Sequence, residues 1–344
     1  MKTYNVAIIG CGNIFPMHAV PIQQRENLNL VAVCDIKPDR AEKAAAEFNC
    51  KAYTDYITMF AQEQIDVIHI CLPHYLHPCV TVEAAKRGIH ILTEKPMSIN
   101  YSDAQNMVQA AKEHDVTLGV IFQNRYNPGS MLIKNALLDG TLGKIISGKL
   151  SVTWDRSDEY YSKSDWKGTW EKEGGGVIID QAIHTMDLMR WFVDSEIEYV
   201  DANISNRAHE IIEVEDTAEG VIKYTNGTLT AFQAINYYGY DAPVTIELYC
   251  ENGIASMIAD KGILTLNDGC QMVADANPTE TFDYGNVKGY WGVSHIKQIQ
   301  NFYDALDGFT TVDITGDEAM KTQEMICAIY ESGRSGKRVY LKRS

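Results

Sequence analysis

Two glycines, Gly10 and Gly12, stand where the apolar run Val6-Ala7-Ile8-Ile9 ends, and Asp35 follows the next such run, Leu30-Val31-Ala32-Val33-Cys34. Both runs read as strands buried on both faces, the kind found in parallel sheets. The first glycine permits a tight turn. The second lets the backbone approach a pyrophosphate at the N-terminus of the following helix. Asp35 falls at the spacing where a carboxylate accepts hydrogen bonds from a ribose. Together these features predict a dinucleotide site. The carboxylate would repel a 2′-phosphate, which favours NAD over NADP, although Lys37 and Arg40 lie close enough to soften that preference. One position departs from the pattern: Phe15 stands where a third small residue usually lets the helix pack closely.

The alternation continues to about residue 123. Pro38 to Phe48 reads as a helix with proline in its first turn, Asp66 to Cys71 as a strand, and His77 to Arg87 as a helix closed by Gly88. Ile89 to Thr93 is a strand, Ser102 to His114 a helix and Thr117 to Phe122 a strand. Beyond that the chain changes character. Most segments between about 144 and 270 are β-like, with hairpin signals at Asn226-Gly227 and Asn252-Gly253. Glu219 to Tyr224 and Thr228 to Ala234 flank the first as matched strands, and helical patterns fall near 128–139, 177–193, 294–307 and 317–333. The predicted architecture is an α/β, Rossmann-type doubly wound parallel sheet over residues 1–123. An α+β domain with a large open, mainly antiparallel sheet follows over 124–344, and the ligand cleft is expected between them.

Bulk properties exclude some classes. The net charge of −16 argues against a nucleic-acid partner, which needs clustered Lys and Arg. No apolar stretch approaches membrane-spanning length, and the opening Met1-Lys2-Thr3-Tyr4 leads straight into the first strand, so neither a membrane anchor nor a signal peptide is expected. Eight cysteines with no C-x-x-C pair read as reduced thiols in a cytoplasmic protein.

Two segments carry candidate chemistry. Glu94-Lys95-Pro96 directly follows a parallel strand, so Lys95 points toward the cleft. A lysine alone reads as a solvated surface group; the strand-end position and the rigid proline make it a candidate. Gly174-Gly175-Gly176 precedes an apolar helix in which Asp180 and His184, four apart, share a face. The glycines let the backbone pass close to a ligand or to another strand. The Asp–His pair serves either as a satisfied buried pair or as a site. Asp180, His184, Asp187 and His295 lack a compact ligand motif, and no metal is expected.

These residues resemble the Gfo/Idh/MocA oxidoreductase family over essentially the whole chain. The resemblance rests on Gly10-Cys11-Gly12-Asn13-Ile14, Glu94-Lys95-Pro96, Gln123-Asn124-Arg125-Tyr126-Asn127-Pro128 and the Gly174-to-His184 segment, in this order and spacing. It implies that Lys95, Asp180 and His184 form the catalytic constellation. It extends the cofactor contacts from Gly10, Gly12 and Asp35 to Asn13, Ile14, Leu72, Pro73, His74, His77, Glu94, Lys95 and Gln123. It also implies a homo-oligomer, dimer or tetramer, built through the open sheet. Leu72-Pro73-His74 stands where many members have Thr-Pro-Asn, which makes His74 the candidate for a polar contact there. His77 matches a common histidine whose alternative role is a structural hydrogen bond.

The expected reaction is NAD-dependent oxidation of a secondary alcohol, with His184 as general base, Lys95 polarising the oxygen, and Asp180 orienting His184 or holding a neighbouring hydroxyl. The stretch from Trp154 to Trp170 mixes rings and carboxylates as a polyol would require, with Arg156, Trp166 and Trp170 as the leading contacts. A sugar, glycoside or cyclitol substrate follows mainly from the resemblance. Two alternatives stay open: a redox-neutral enzyme that keeps its NAD and passes through a keto-sugar, and a non-catalytic NAD-binding regulator.

Overall fold

The computed structural model describes residues 2–277 and 294–341. The apolar runs of the first third become six parallel strands: β1 (Tyr4–Ile9), β2 (Leu28–Cys34), β3 (Lys51–Tyr53), β4 (Val67–Ile70), β5 (His90–Thr93) and β6 (Leu118–Val120). Their order is β3-β2-β1-β4-β5-β6, all pairs parallel. Connecting helices are α1 (Phe15–Gln24), α2 (Pro38–Phe48), α3 (Tyr56–Gln62), α4 (His77–Ala85) and α5 (Tyr101–Glu113). Helix starts follow local chemistry. Asp55 accepts from the amides of Ile57 and Thr58, Asn100 accepts from Asp103, and Pro38 occupies the first turn of α2. Phe15, the departure from the glycine pattern, packs into the core edge-on against Phe48 of α2, ring centroids 5.4 Å apart.

Among the described residues the second sheet has nine strands, numbered β7 to β15 along the chain with β15 at Val339–Tyr340, in the order β14-β13-β12-β11-β7-β10-β9-β8-β15. In chain order its elements are α6 (Pro128–Leu138), β7 (Ile145–Thr153), α7 (Asp158–Ser162), α8 (Ile183–Val193), β8 (Ile197–Ser205), β9 (Thr217–Tyr224), β10 (Leu229–Ile235), β11 (Thr245–Cys250), β12 (Gly253–Ile258), β13 (Lys261–Leu266) and β14 (Gln271–Ala274). Both Asn-Gly signals make hairpins, β9–β10 and β11–β12. All pairings are antiparallel except β7 with β10. One face is apolar and covered: Leu150, Val152, Phe232, Ala234, Ile246 and Leu248 are buried. The other face alternates Leu229, Ile254 and Ile258, each about two-fifths to one-half exposed, with polar side chains.

The last segments are α9 (Ser294–Leu306), α10 (Gly316–Ser335) and β15 (Val339–Tyr340). By contacts among the described residues, the first unit comprises 2–123 with 294–320, and the second 124–277 with 321–341. Helix α9 returns to the parallel sheet, burying Ile299, Phe302 and Tyr303 in the core that holds Val6, Ile8, Ala19 and Ile22. Gln298 seals the β6 edge, donating to Val120 O (2.7 Å) and accepting from Phe122 N (3.0 Å). An amphipathic period reveals that α9 has a buried face, yet it does not say which sheet that face covers.

Candidate active site

The turn after β1 is built to receive phosphate. Gly10 has φ +102°, and a Cβ there would lie 2.2 Å from the carbonyl oxygen of Cys71, so only glycine fits between the ends of β1 and β4. A Cβ on Gly12 would meet nothing within 4 Å, which leaves open space over the start of α1. That helix has no side-chain cap at Ile14 and no acidic residue in its first turn, so its N-terminal dipole is available to an anion. The buried Asp35 carboxylate accepts from Cys11 N and Lys37 N, each at 2.9 Å, which pins it beside the glycine turn. Ile36, missed in the sequence, is 85% exposed next to it and offers an apolar surface at the adenosine end. These features fit NAD.

At the ends of β4 and β5 the chain is held by imidazoles. His77, expected among the cofactor residues, has Nδ1 2.8 Å from Pro96 O and Nε2 2.8 Å from Leu72 O. Each nitrogen faces a backbone carbonyl, and whichever carries the proton donates to it, so His77 holds the loop around Leu72 and Pro73. Lys95 is the only residue from Ile91 to Ser98 that is not buried. His74 and Gln123 are both buried, and the side-chain oxygen of Gln123 has no hydrogen-bond partner among the described residues. An orphaned buried acceptor here suits a ligand's amide donor.

Beneath Lys95, Glu94 is buried and its Oε1 lies 2.9 Å from His18 Nε2 and 3.3 Å from His295 Nε2. His18 in turn meets His69, which meets Tyr303. Burial would raise the Glu94 carboxyl, but the two imidazoles hold it well below the usual carboxylate range. Burial pulls the imidazoles of His18 and His69 down, the latter strongly. The unfolded chain therefore binds more protons than the folded one once pH falls below the unfolded histidine value of about 6.5. Acidification from pH 7.5 to 5 is expected to destabilise the first unit, by up to about 1.4 kcal/mol per pH unit for each such imidazole. Urea unfolding at several pH values checks this; a flat profile across the window would contradict it.

The second unit supplies the other candidates. A Cβ on Gly176 would lie 2.0 Å from Glu215 O, so the glycine run serves close passage of backbone against backbone, the second of its two expected uses. The segment that follows is not one α-helix. Val177–Ala182 winds as a π-helix before α8 begins at Ile183. From Val177 to Arg190 every residue is buried except Asp180 and His184, which alone reach the surface. Asp180 Oδ2 accepts from Lys167 Nζ (2.7 Å), Tyr160 Oη (2.8 Å) and Gln181 Nε2 (2.8 Å).

Lys167 was not foreseen. Its ammonium lies 3.5 Å from Glu173 and 4.5–4.8 Å from the ring centroids of Trp166 and Tyr160. Burial would lower its pKa, but Asp180 first, then Tyr160 and Glu173, raise it overall, so it stays charged. Burial, and after it the Asp180 charge, raises the Tyr160 phenol, which stays protonated. Nothing in the sequence separates Lys167 from other lysines, because its partner Asp180 lies thirteen residues on.

Of the remaining substrate candidates, Arg156 is bound to Asp241 (2.8 Å) and the Asp155 carbonyl (2.6 Å), with Trp154 and Tyr160 rings at 5.0 and 5.4 Å. Trp170 donates to Glu213 O, meets Tyr330 edge-on and carries Arg334 over its face. These contacts build both side chains into the frame of the second unit. Trp166 is half-buried beside Lys167.

Comparison with known proteins identifies the family to which both parts of the chain are similar. Residues 4–122 match a family model described as an oxidoreductase family with an NAD-binding Rossmann fold, and 131–256 match the corresponding Gfo/Idh/MocA C-terminal domain. A 2,7-anhydro-N-acetylneuraminate hydratase of Mediterraneibacter gnavus is 28% identical over 211 residues, 61% of this chain and 54% of the relative; that match spans about half the relative's length. A myo-inositol 2-dehydrogenase of Thermotoga maritima is 28% identical over 247 residues, 70% of this chain and 72% of the relative. Among solved structures, the WlbA dehydrogenase of Bordetella pertussis, in complex with NADH and UDP-GlcNAcA, superposes with TM-score 0.86 at 28% identity, covering all of both chains.

Proposed function

We propose an activity on the premise that this chain belongs to the Gfo/Idh/MocA oxidoreductase family, with an NAD-binding Rossmann domain. It oxidises a secondary alcohol of a sugar, glycoside or cyclitol. The observation that carries this reading is the exposure pattern: Lys95 is the one opening in 91–98, and Asp180 and His184 are the two openings in 177–190. A lysine, a carboxylate and an imidazole kept accessible at such positions suit proton handling at an alcohol.

NAD, when bound, would supply the hydride acceptor. His184 takes the hydroxyl proton, since an imidazole changes charge near neutral pH. Lys95 donates a hydrogen bond to the same oxygen and stabilises its developing negative charge. Asp180, paired with Lys167, accepts from a neighbouring hydroxyl, and Tyr160 and Trp166 present rings to the C–H face of a polyol. Asn13, Ile14, Leu72, Pro73, His74 and Gln123 line the cofactor. The half-exposed sheet face bearing Leu229, Ile254 and Ile258 joins two copies, and sedimentation of the purified chain tests that.

Screening the purified protein and NAD against cyclitols, aldoses and glycosides, by the absorbance of reduced nicotinamide, is expected to yield at least one substrate. A blank panel overturns the dehydrogenase reading. A second reading is favoured by the hydratase relative, whose name describes no net oxidation. In that case the protein purifies with NAD bound and converts a glycoside without added cofactor.

A further inference from the structure

One buried line of hydrogen bonds in the first unit ends on Glu94. Tyr303 Oη lies 2.9 Å from His69 Nε2, His69 Nδ1 lies 2.9 Å from His18 Nδ1, and His18 Nε2 lies 2.9 Å from Glu94 Oε1. His295 reaches the same carboxylate oxygen at 3.3 Å, and the Lys95 amide donates to the other at 3.3 Å. His18, His69 and Tyr303 are fully enclosed.

The proton order in this line follows from donor and acceptor chemistry. An ionised carboxylate only accepts, so His18 donates through Nε2. Burial keeps both central imidazoles neutral. A neutral His18 then has a bare Nδ1, which accepts from Nδ1–H of His69. His69 is left with a bare Nε2, which accepts the Tyr303 hydroxyl. Every proton points toward Glu94, and the line carries one net charge, placed on its carboxylate.

That position has a consequence for the cofactor. In a sheet ordered β3-β2-β1-β4-β5-β6, Asp35 after β2 marks the adenosine half, which leaves the nicotinamide half to the ends of β4, β5 and β6. Glu94 is the first residue after β5, and Lys95 beside it brings a positive charge to the same strand end. The oxidised nicotinamide ring is cationic and the reduced ring is neutral. A cationic ring next to an ammonium group needs a nearby anion. We propose that the Tyr303–His69–His18 line maintains a buried negative charge on Glu94 so that the protein binds NAD+ in preference to NADH. Glu94 thereby acts as a selectivity residue for the cofactor's oxidation state, and His18 and His69 are positioning residues acting through it.

The test needs no polyol turnover, so it stands or falls separately from the proposed dehydrogenase activity. The wild type and Glu94→Gln are titrated with NAD+ and, separately, with NADH by calorimetry. Removing one charge within about 10 Å, at an effective dielectric of about 20, weakens NAD+ binding about tenfold and leaves NADH binding within about twofold. His18→Leu, which strips the shortest of the side-chain contacts from Glu94 and cuts it off from His69 and Tyr303, moves the ratio the same way by a smaller amount. His18→Gln keeps a donor toward Glu94 and an acceptor toward His69, and holds the wild-type ratio. If Glu94→Gln does not fold, the two His18 variants supply the comparison. Equal losses for both cofactor forms, or an unchanged NAD+ affinity, overturn the proposal.

Discussion

Replacing His184 with Ala, or Lys95 with Met, is expected to lower kcat by about two to four orders of magnitude, with the fold unchanged by circular dichroism. Both side chains lie at openings in buried segments, so truncation removes chemistry without opening a core. The losses should appear in kcat and kcat/KM together, because proton abstraction and oxyanion stabilisation act chiefly in the transition state. A histidine that accepts the proton also predicts partial recovery of His184→Ala at high pH, where hydroxide can take its place. Lys95→Met has no such rescue. Asp180→Asn should behave differently: it removes the charge that holds Lys167 and raises KM at least as much as it lowers kcat. Near-normal turnover in both the Lys95 and His184 variants would refute the assignment.

Asp187→Ala is expected to destabilise the second unit by about 3–5 kcal/mol, the range for breaking a buried ion pair from one side. Asp187 is 1% exposed and takes Arg125 in a two-pronged contact, Nη2 to Oδ1 at 2.6 Å and Nε to Oδ2 at 2.7 Å. Thr322 donates to Oδ1 at 2.7 Å and accepts from Arg190 Nε at 2.9 Å. Deleting the carboxylate removes the anion that both buried guanidinium groups approach. Asp187→Asn should lose less, since an amide oxygen still accepts from Arg125. Thr322→Val should lose about 1 kcal/mol, the value of one neutral hydrogen bond. Urea unfolding of the transition that belongs to the second unit measures all three. A loss under 1 kcal/mol in Asp187→Ala would show that the arginines find other partners.

Much of the proposed site is read from the sequence because its signals are local. Gly10, Gly12 and Asp35 sit at strand ends that the apolar runs define, and Lys95 follows a strand directly. Asp180 and His184 stand out as the polar residues of an apolar helix, and the structure leaves those two uncovered in that segment. Lys167 and Tyr160 were harder to find. Each reaches Asp180 from a stretch rich in charges and rings, where residue type alone does not rank one above another. His18 and His69 read as ordinary residues of a helix and a strand. Only their meeting across the sheet makes them a pair.

From residues alone come the strands, the helices and the turns between them, because apolar period, caps and Asn-Gly turns act over a few neighbouring positions. From residues alone, too, come the glycine turn and the acid that marks it for a dinucleotide. The path of the chain decided the rest. It returned α9 to the parallel sheet, paired β7 with β10 in parallel, and joined Tyr303 to His69 across 234 residues and Arg125 to Asp187 across 62. Such partners depend on which apolar faces close over one another, and a buried charge accepts whatever counterpart that closure delivers.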